Sequence, residues 1–215
     1  MRILIPTCDR YRDAVPLALK CLDARWPNHP QVTVVYTETA PEVTGVTLVR
    51  LGRDRGWVAN LSTYFGTAFA RETDSVLLWL DDYMLVDFNA AVWARAVAAL
   101  KDAALVRLVP TPGPTLDWRG DDLVGAIDKR ADYSLSLQAT LWRAADLHRV
   151  LHHLRGAGCA SAWDVELRGS QLAAGWDDVG PFLGTRQCAV SYDNYYRRGK
   201  VVAAVAERLE RDDES

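Results

Sequence analysis

The strongest strand pattern in the sequence is Ser75-Val-Leu-Leu-Trp-Leu-Asp-Asp82. Its apolar run is short, uninterrupted and bounded by polar residues, which is typical of a strand buried on both faces of an α/β sheet. Such sheets bind ligands at the carboxyl ends of their strands, where this chain places Asp81 and Asp82. Adjacent carboxylates repel each other unless a cation or several donors compensate. The pair therefore predicts a metal or phosphate site, with a solvated strand-end turn as the alternative.

Strand and helix patterns alternate around this stretch. Short β-branched or apolar runs predict strands at 2–6, 31–36, 46–51, 75–80 and 104–109. Apolar residues at helical spacing predict helices at 13–24, 57–71 and 89–101. This alternation through residues 1–110 predicts an α/β fold with a mainly parallel sheet flanked by helices.

The second half of the chain is less regular. Pro110-Thr-Pro-Gly-Pro114 marks the change, and the polar stretch 117–128 predicts a loop or lid. We expect an extended segment at 134–142, helices at 144–154, 162–172 and 201–211, and a frayed tail at 212–215. The proline cluster is expected to separate two halves of a single domain, 1–110 and 111–215.

Composition narrows the class of protein. A net charge of -3 and a pI near 5.8 argue against nucleic-acid binding as the main role. No apolar run reaches transmembrane length, and the run 3–6 is too short for a signal-peptide core, so we expect a cytoplasmic protein. The four cysteines are scattered without a C-x-x-C pair, which favours reduced thiols and predicts no zinc site.

Six short motifs accompany these elements. They are Ile3-Leu-Ile-Pro-Thr-Cys-Asp-Arg-Tyr11, Arg55-Gly-Trp-Val-Ala-Asn60, Leu80-Asp-Asp82, Tyr133-Ser-Leu-Ser-Leu-Gln138, Ala162-Trp-Asp-Val-Glu-Leu-Arg168 and Tyr192-Asp-Asn-Tyr-Tyr-Arg-Arg-Gly-Lys200. Their order resembles the bacterial GT-A glycosyltransferases of the inverting, family-2-like type, which move a sugar from a nucleotide diphosphate to an acceptor. The resemblance covers most of the chain and implies the GT-A, Rossmann-like fold. It also implies that residues 1–110 bind the nucleotide sugar and 111–215 bind the acceptor and supply the base.

The first three motifs resemble the donor side of that family. By this resemblance, Thr7, Asp9 and Arg10 face the nucleobase. Arg55, Gly56 and Asn60 open a helix whose amino-terminal N–H groups suit an anionic donor, although an ordinary helix start is the alternative. Leu80-Asp-Asp82 is similar to the metal-binding D-x-D element, which implies Asp82 as the ligand of Mn²⁺ or Mg²⁺ and Asp81 on the donor ribose or sugar. Tyr83 departs from the family, where some relatives carry another acid.

The segment 162–168 is similar to the family's E-D-x-x-L element, whose aspartate deprotonates the acceptor hydroxyl. The match implies Asp164 as the base, with Glu166 as the alternative if the stretch were extended rather than helical. On a helix the two side chains lie about 200° apart, so only one can face the donor. A solvated acidic helix start is the structural alternative. Trp163 replaces the family's glutamate and is expected on the acceptor side.

The two remaining motifs complete the resemblance. Gln138 and Trp142 resemble the strand that lines the acceptor side, with core packing as the alternative for Trp142. Arg198 and Lys200 stand beside aromatic residues and could fold back on the diphosphate, or simply lead into the last helix.

The resemblance implies a hexosyltransferase-type enzyme that uses a nucleotide-sugar donor, with a UDP-sugar as the first choice, and a carbohydrate, lipid-linked or small-molecule acceptor. A sugar-phosphate nucleotidyltransferase is the alternative enzyme. That class carries a first loop with glycine and lysine, and residues 6–10 contain neither. A non-catalytic sugar-binding or scaffold protein derived from a transferase is the alternative from another class.

Overall fold

The strands were assigned in a computed structural model that describes residues 1–67 and 74–214. They are β1 (Arg2–Pro6), β2 (Val32–Tyr36), β3 (Thr47–Arg50), β4 (Ser75–Leu78), β5 (Tyr83–Phe88), β6 (Leu105–Arg107), β7 (Val124–Ile127), β8 (Thr140–Arg143), β9 (Phe182–Thr185), β10 (Val190–Asn194), β11 (Tyr196–Arg197) and β12 (Lys200–Val201). The helices are α1 (Val15–Arg25, after a 3₁₀ turn at Arg12–Ala14), α2 (Trp57–Phe65), α3 (Ala90–Leu100), α4 (Ala144–Gly156), α5 (Ala162–Ala173) and α6 (Ala203–Glu214). None of these helices is long and apolar enough to cross a membrane.

An eight-stranded sheet forms the centre of the protein, in the order β3-β2-β1-β4-β8-β6-β9-β7. Pairing along the sheet is parallel except at β8 and β7, which run against their neighbours. The predicted mainly parallel α/β sheet is therefore confirmed. Strands from both halves of the chain take part in it, because β7, β8 and β9 all follow the proline cluster.

Helices cover both faces of the sheet because side chains alternate along the central strands. Ile3 and Ile5 pack into one core with apolar residues of α1, α3 and α6, whereas Leu4 packs into a second core with those of α2, α4 and α5. All three side chains are fully buried. Burial of one such aliphatic side chain stabilises the fold by about 1.5–3 kcal/mol.

Several elements differ from the sequence-based expectation. The polar stretch expected to be a loop contains β7, a four-residue edge strand that pairs with β9 and also forms an isolated bridge to Leu116 through Ala126. The strands β5, β9 and β10 were not predicted, and β5 pairs with β10 in a separate antiparallel ribbon. The helix expected at 57–71 is described as far as Phe65, and its predicted end lies outside the described residues.

The carboxyl terminus also differs from its prediction. Helix α6 begins at Ala203 and continues to Glu214, so most of the tail expected to fray is helical. Arg25 on α1 pairs with Asp212 on α6 at 3.0 Å, which ties the last turns of the helix to the body of the protein. Exposed ion pairs of this kind add little stability.

Candidate functional site

A cavity of about 820 Å³ opens at the carboxyl ends of β1 and β4. The chain leaves β1 for β2 and β3 on one side and returns to β4 on the other, so the strand order reverses here. Because β8 is antiparallel to β4, with Thr140 beside Leu78, the residues that precede β8 reach the same edge. Nine residues singled out in the sequence line the cavity: Thr7, Gly56, Asn60, Asp81, Asp82, Gln138, Trp163, Glu166 and Arg198.

Six other candidates are not part of the cavity lining: Asp9, Arg10, Arg55, Trp142, Asp164 and Lys200. Trp142 is 1% exposed and packs within the sheet between Val76 on β4 and Leu105 on β6. The expectation that Trp142 contacts the acceptor is therefore corrected, because the central position of β8 buries its side chain in the core.

The strand-end carboxylates lie in a partly buried environment. The hydroxyl of Thr7, just after β1, donates a 2.6 Å hydrogen bond to Oδ2 of Asp81. Burial raises the pKa of Asp81 to about 7, the Thr7 bond opposes this increase, and the charge of Asp82 adds to it. Burial also raises the pKa of Asp82, against hydrogen bonds from the backbone of Asp82 and Tyr196.

The donor set at Asp81 and Asp82 fits Mg²⁺ or Mn²⁺. Within residues 1–67 and 74–214, no group of three or more His, Cys, Asp and Glu side chains could hold a metal ion by itself. Mg²⁺ commonly takes one or two carboxylates and completes its shell with substrate phosphates and water. Two neighbouring carboxylates suit that arrangement, because a bound cation would relieve the repulsion between their negative charges.

Tyr83, which directly follows the Asp81-Asp82 pair, has a packing role. Its hydroxyl donates to the carbonyl of Leu137 at 3.2 Å, and its ring stacks on Tyr192 with centroids 3.9 Å apart. Burial raises the pKa of Tyr83 well above its usual value, so the phenol stays neutral. Tyr83 therefore joins the β5–β10 ribbon to the segment that precedes β8.

A hydrogen-bonded turn shapes the amino end of α2 at the cavity wall. Oδ1 of Asp54 accepts from the backbone N–H of Gly56 and from the side-chain amide of Asn60, both at 2.8 Å, and Oδ1 of Asn60 accepts from the backbone N–H of Arg55. Gly56 has φ 88° and ψ 157°, a conformation essentially confined to glycine. A Cβ at Gly56 would lie 2.9 Å from the carbonyl oxygen of Ala160, so this turn packs directly on the loop before α5.

Asp9 organises the loop after β2. Its carboxylate accepts hydrogen bonds from the Thr37 hydroxyl at 2.7 Å and from the backbone N–H groups of Glu38 and Thr39, both at 3.0 Å. These bonds, led by the one from the Thr39 backbone, lower the pKa of Asp9 to about 2. With its oxygens engaged in this way, Asp9 joins the 37–39 loop to the segment that follows β1.

The hairpin of β11 and β12 closes the cavity next to β1. Its turn is Arg198-Gly199, and both residues have positive φ, 53° and 74°, as in the tight turns that match strand twist. The ring of Tyr196 lies 5.1 Å from that of Tyr11, and a Cβ at Gly199 would lie 2.6 Å from the Arg10 guanidinium. The hairpin thereby brings the Arg198 cation to the cavity, whereas Lys200 is exposed outside its lining.

Glu166 is the acid that α5 presents to the cavity. Its Oε1 accepts a 3.0 Å hydrogen bond from the Ser136 hydroxyl and a 2.8 Å bond from the backbone N–H of Leu137. These two donors fix the carboxylate and leave Oε2 outside both bonds. Glu166 is thus held at the wall, facing the same cavity as Asp81 and Asp82.

Asp164 instead caps the helix that carries both acids. Its Oδ2 accepts from the backbone N–H groups of Ala160 and Ser161 and from the Ser161 hydroxyl, and its own N–H donates to Ser161. This capping box, led by the bond from the Ser161 backbone, lowers the pKa of Asp164. The segment is helical as predicted, yet Glu166 rather than Asp164 lines the cavity, because the cap directs Asp164 back toward the helix start.

Two further side chains near Glu166 are open to a ligand. The amide oxygen of Gln138 is buried and has no hydrogen-bond partner among the described residues. An unpaired buried acceptor of this kind costs about 1–3 kcal/mol, so a ligand hydroxyl there would be favourable. Trp163, one turn before Glu166, is 70% exposed and offers an open aromatic face at the rim.

Sequence reasoning did not single out several residues of the lining: Cys8, Tyr11, Asp54, Leu137, Ser191, Tyr192, Asn194 and Tyr196. Asp54 carried a usable signal, because an aspartate two residues before a helix-opening glycine is a common turn and cap residue. Ser191 carried none, since it reaches the cavity through the pairing of β10 with β5, whereas Tyr192 and Asn194 stand in the motif 192–200 but were given no role there.

The sheet order, the flanking helices and the cavity at the strand reversal are those of a GT-A-like fold, as predicted. S. aureus TarS 1-349 is similar over 89% of this chain and 59% of that chain, with TM-score 0.53 and 13% identity. Its complex with UDP-GlcNAc is similar over 94% and 60%, with TM-score 0.53 and 14% identity. The chain therefore spans about three fifths of TarS 1-349.

A nucleotidyltransferase shows the same fold over its whole length. The 2-C-methyl-D-erythritol 4-phosphate cytidylyltransferase from Thermus thermophilus is similar over 98% of both chains, with TM-score 0.54 and 16% identity. No protein-family model and no curated protein matches the sequence. The likeness to these structures accordingly establishes the fold and leaves the reaction to be argued from the site.

Proposed function

We propose that this protein is a glycosyltransferase that moves a sugar from a nucleotide diphosphate, with a UDP-sugar as the first choice, to an acceptor hydroxyl with inversion. The observation that carries the proposal is that Asp81, Asp82 and Glu166 line the same cavity while lying on different elements. Sugar transfer needs two separate functions, namely stabilisation of the departing diphosphate and removal of the acceptor proton. Separate acidic groups suit that division.

Glu166 is the proposed base. In the proposed reaction the acceptor oxygen attacks the anomeric carbon from the face opposite the nucleotide, and the bond from that carbon to the diphosphate oxygen breaks. The acceptor proton passes to Oε2 of Glu166, since Oε1 is occupied by Ser136 and Leu137. Asp164 is not the proposed base, because its carboxylate accepts the hydrogen bonds of the helix cap.

The donor phosphates would meet positive charge from two sources. Asp82, with Asp81, would hold Mn²⁺ or Mg²⁺, and the bound ion would supply positive charge to the leaving diphosphate. Arg198 on the hairpin would add a second positive charge. The turn at Asp54, Gly56 and Asn60 would hold the donor beside the amino end of α2, where backbone N–H groups favour anions.

The proposed acceptor presents a sugar or polyol to Trp163 and Gln138. An open indole face suits the apolar face of a sugar ring, and the unpartnered Gln138 oxygen suits a hydroxyl donor. A carbohydrate, a lipid-linked sugar and a small glycoside all satisfy this chemistry.

A nucleotidyltransferase is the second candidate, favoured by the full-length likeness to the cytidylyltransferase. That reaction brings an anionic sugar phosphate against a nucleoside triphosphate, so it needs several cations. Among the described residues of the cavity lining, Arg198 is the one cation, beside the four acids Asp54, Asp81, Asp82 and Glu166. This balance favours a hydroxyl acceptor and a diphosphate leaving group.

Ligand-dependent thermal unfolding tests the proposal, because a ligand that binds only the native state raises the midpoint. Nucleoside diphosphates, nucleotide sugars and nucleoside triphosphates are compared with and without Mn²⁺. We expect a rise with one nucleotide sugar that grows with Mn²⁺ and is lost in Asp82→Ala. Asp87→Ala, an exposed aspartate on β5 outside the cavity, is the matched control and keeps the rise.

Turnover then separates the candidate functions. Release of nucleoside diphosphate with glycosylation of an added glycoside supports the glycosyltransferase. Release of pyrophosphate from a triphosphate and a sugar phosphate supports the nucleotidyltransferase instead. If a ligand binds but neither product forms, or if no ligand binds near millimolar concentration, the enzymatic proposal is wrong and a non-catalytic scaffold is favoured.

A further inference from the structure

Arg107 is a buried cation that has no part in the proposed reaction as described above. It ends β6, between Thr140 on β8 and Gly184 on β9, and only 1% of the residue is exposed. Burying an isolated charge costs free energy, so a buried guanidinium needs compensating interactions. Burial lowers the pKa of Arg107 to about 10, which still leaves the guanidinium charged at neutral pH.

The guanidinium is held by backbone carbonyls. Nη1 donates to Pro112 at 2.5 Å, and Nη2 donates to Tyr133 at 2.6 Å and to Ser134 at 3.0 Å. Tyr133 has φ 54°, a left-handed conformation that is unfavourable for a tyrosine. Arg107 thus binds the start of the segment 133–137, which we term the clamp segment.

The clamp segment leads from Arg107 to Glu166. Two residues beyond Ser134, the hydroxyl of Ser136 donates to Oε1 of Glu166, and the backbone N–H of Leu137 donates to the same oxygen. Between them, the backbone N–H of Leu135 donates to the hydroxyl of Ser170 on α5. One short stretch of backbone is therefore fixed by Arg107 at its beginning and holds the Glu166 carboxylate at its end.

The two side chains also interact through their charges. The negative charge of Glu166 opposes the decrease that burial causes in the pKa of Arg107. The two charges therefore attract each other across the clamp segment.

We infer that Arg107 is a positioning residue for Glu166, because it fixes the clamp segment whose Ser136 and Leu137 donors hold the carboxylate. The inference rests on the proposed function, in which Glu166 accepts the acceptor proton. Arg107 itself is not in the cavity lining, so it acts through Glu166 and not on the substrate.

Steady-state kinetics tests this role. The readout is kcat and KM for nucleoside diphosphate release from the nucleotide sugar that raises the unfolding midpoint, with water as the acceptor. In Arg107→Met we expect kcat to fall by about tenfold or more with the donor KM within about twofold of the wild type, because the clamp segment no longer holds the Glu166 carboxylate in place. Arg107→Lys keeps the charge and should restore part of kcat. An unchanged kcat in a folded Arg107→Met enzyme would overturn the inference.

A second measurement does not depend on turnover. Urea unfolding of Arg107→Met, Glu166→Gln and the double variant forms a double-mutant cycle, and we expect the two losses to be non-additive. Arg119→Met, an exposed arginine paired with Asp102, provides the control cycle with Glu166→Gln and should be additive. Additive losses for Arg107 and Glu166 would overturn the inference.

These measurements separate the two possible failures. If the wild type turns over no nucleotide sugar, the proposed function fails, whereas the cycle still reports whether Arg107 and Glu166 are coupled. If Arg107→Met does not fold, Arg107→Lys replaces it in the cycle. Lysine cannot make all of the arginine's hydrogen bonds to the carbonyls, so its stability loss should still be non-additive with that of Glu166→Gln. Additivity in that cycle would count against the inference in the same way.

Discussion

The Thr7 hydroxyl donates its hydrogen bond to Oδ2 of Asp81 at 2.6 Å, joining the ends of β1 and β4 across 74 positions of sequence. The bond uses the hydroxyl's single proton, so Thr7 can meet a ligand only as an acceptor. It also supports the charged form of Asp81, whose pKa burial nevertheless raises to about 7. The cavity edge therefore titrates near neutral pH in the absence of a cation.

Asp81→Asn should stabilise the ligand-free protein at high pH. The pKa of Asp81 is raised in the folded state from 3.8 to about 7, so its favourable contribution is full below pH 4 and is lost as the pH rises through 7. Asparagine removes this loss and can still accept from Thr7. We expect urea unfolding to give a gain on the order of 1–3 kcal/mol at pH 8, allowing for partial exposure, and little gain at pH 4.

The exposed Asp87 on β5 is the control for this titration. Asp87→Asn should change the free energy of unfolding by less than about 0.5 kcal/mol at either pH. An equal gain for Asp81→Asn at pH 4 and pH 8 would show that burial of its charge is not the cause.

Glu166→Gln should abolish most turnover, whereas Asp164→Asn should not. Loss of a general base typically lowers the rate by about 10²–10⁴-fold, while the amide keeps the size of the side chain. Asp164→Asn weakens the capping box, so we expect a lower unfolding midpoint and turnover within about threefold of the wild type. Initial rates and thermal unfolding of both variants make the comparison, and the reverse pattern would restore Asp164 as the base.

Gly56→Ala should be much more destabilising than Gly52→Ala. Both glycines have positive φ, 88° and 82°, but only at Gly56 would a Cβ meet a backbone atom, the Ala160 oxygen at 2.9 Å. We expect a loss of roughly 1 kcal/mol for Gly52→Ala from backbone strain alone and roughly 3 kcal/mol or more for Gly56→Ala. Urea unfolding measures both, and similar losses would mean that the contact with Ala160 relaxes.

Arg198→Gln should weaken donor binding by about tenfold, equivalent to ~1.4 kcal/mol, because it removes a charge near the diphosphate. Lys200→Gln, in the same hairpin but outside the cavity lining, should stay within about twofold. Calorimetric titration at two salt concentrations measures both, and the effect of Arg198→Gln should shrink at high salt. Equal effects of the two variants would point to general attraction and not to a defined phosphate contact.

Local sequence patterns were sufficient for the parallel half of the sheet. The strand that precedes Asp81 was recognisable because a strand buried on both faces must be continuously apolar, and this property is written in consecutive residues. The strands β5, β9 and β10 were not recognisable, because their short segments become strands only through partners distant in sequence. The position of the β11–β12 hairpin likewise involves a partner distant in sequence, since Tyr196 packs on Tyr11.

The choice between the two acids of α5 illustrates the same limit within the site. Their separation on the helix followed from sequence, since 100° per residue makes only one of them face the cavity. Which one does so depended on Ser161, which draws Asp164 into the cap, and on Ser136 and Leu137, which receive Glu166.

Sequence patterns alone were sufficient to predict the α/β class, the mainly parallel sheet and the placement of two carboxylates after a central strand, because each follows from hydrophobic periodicity over a few residues. The folded chain was needed to establish that Glu166 lines the cavity, that Trp142 belongs to the core and that Arg107 is buried behind the clamp segment. Burial and hydrogen-bond partners are properties of packing between distant segments, and residue spacing along one segment carries no record of them.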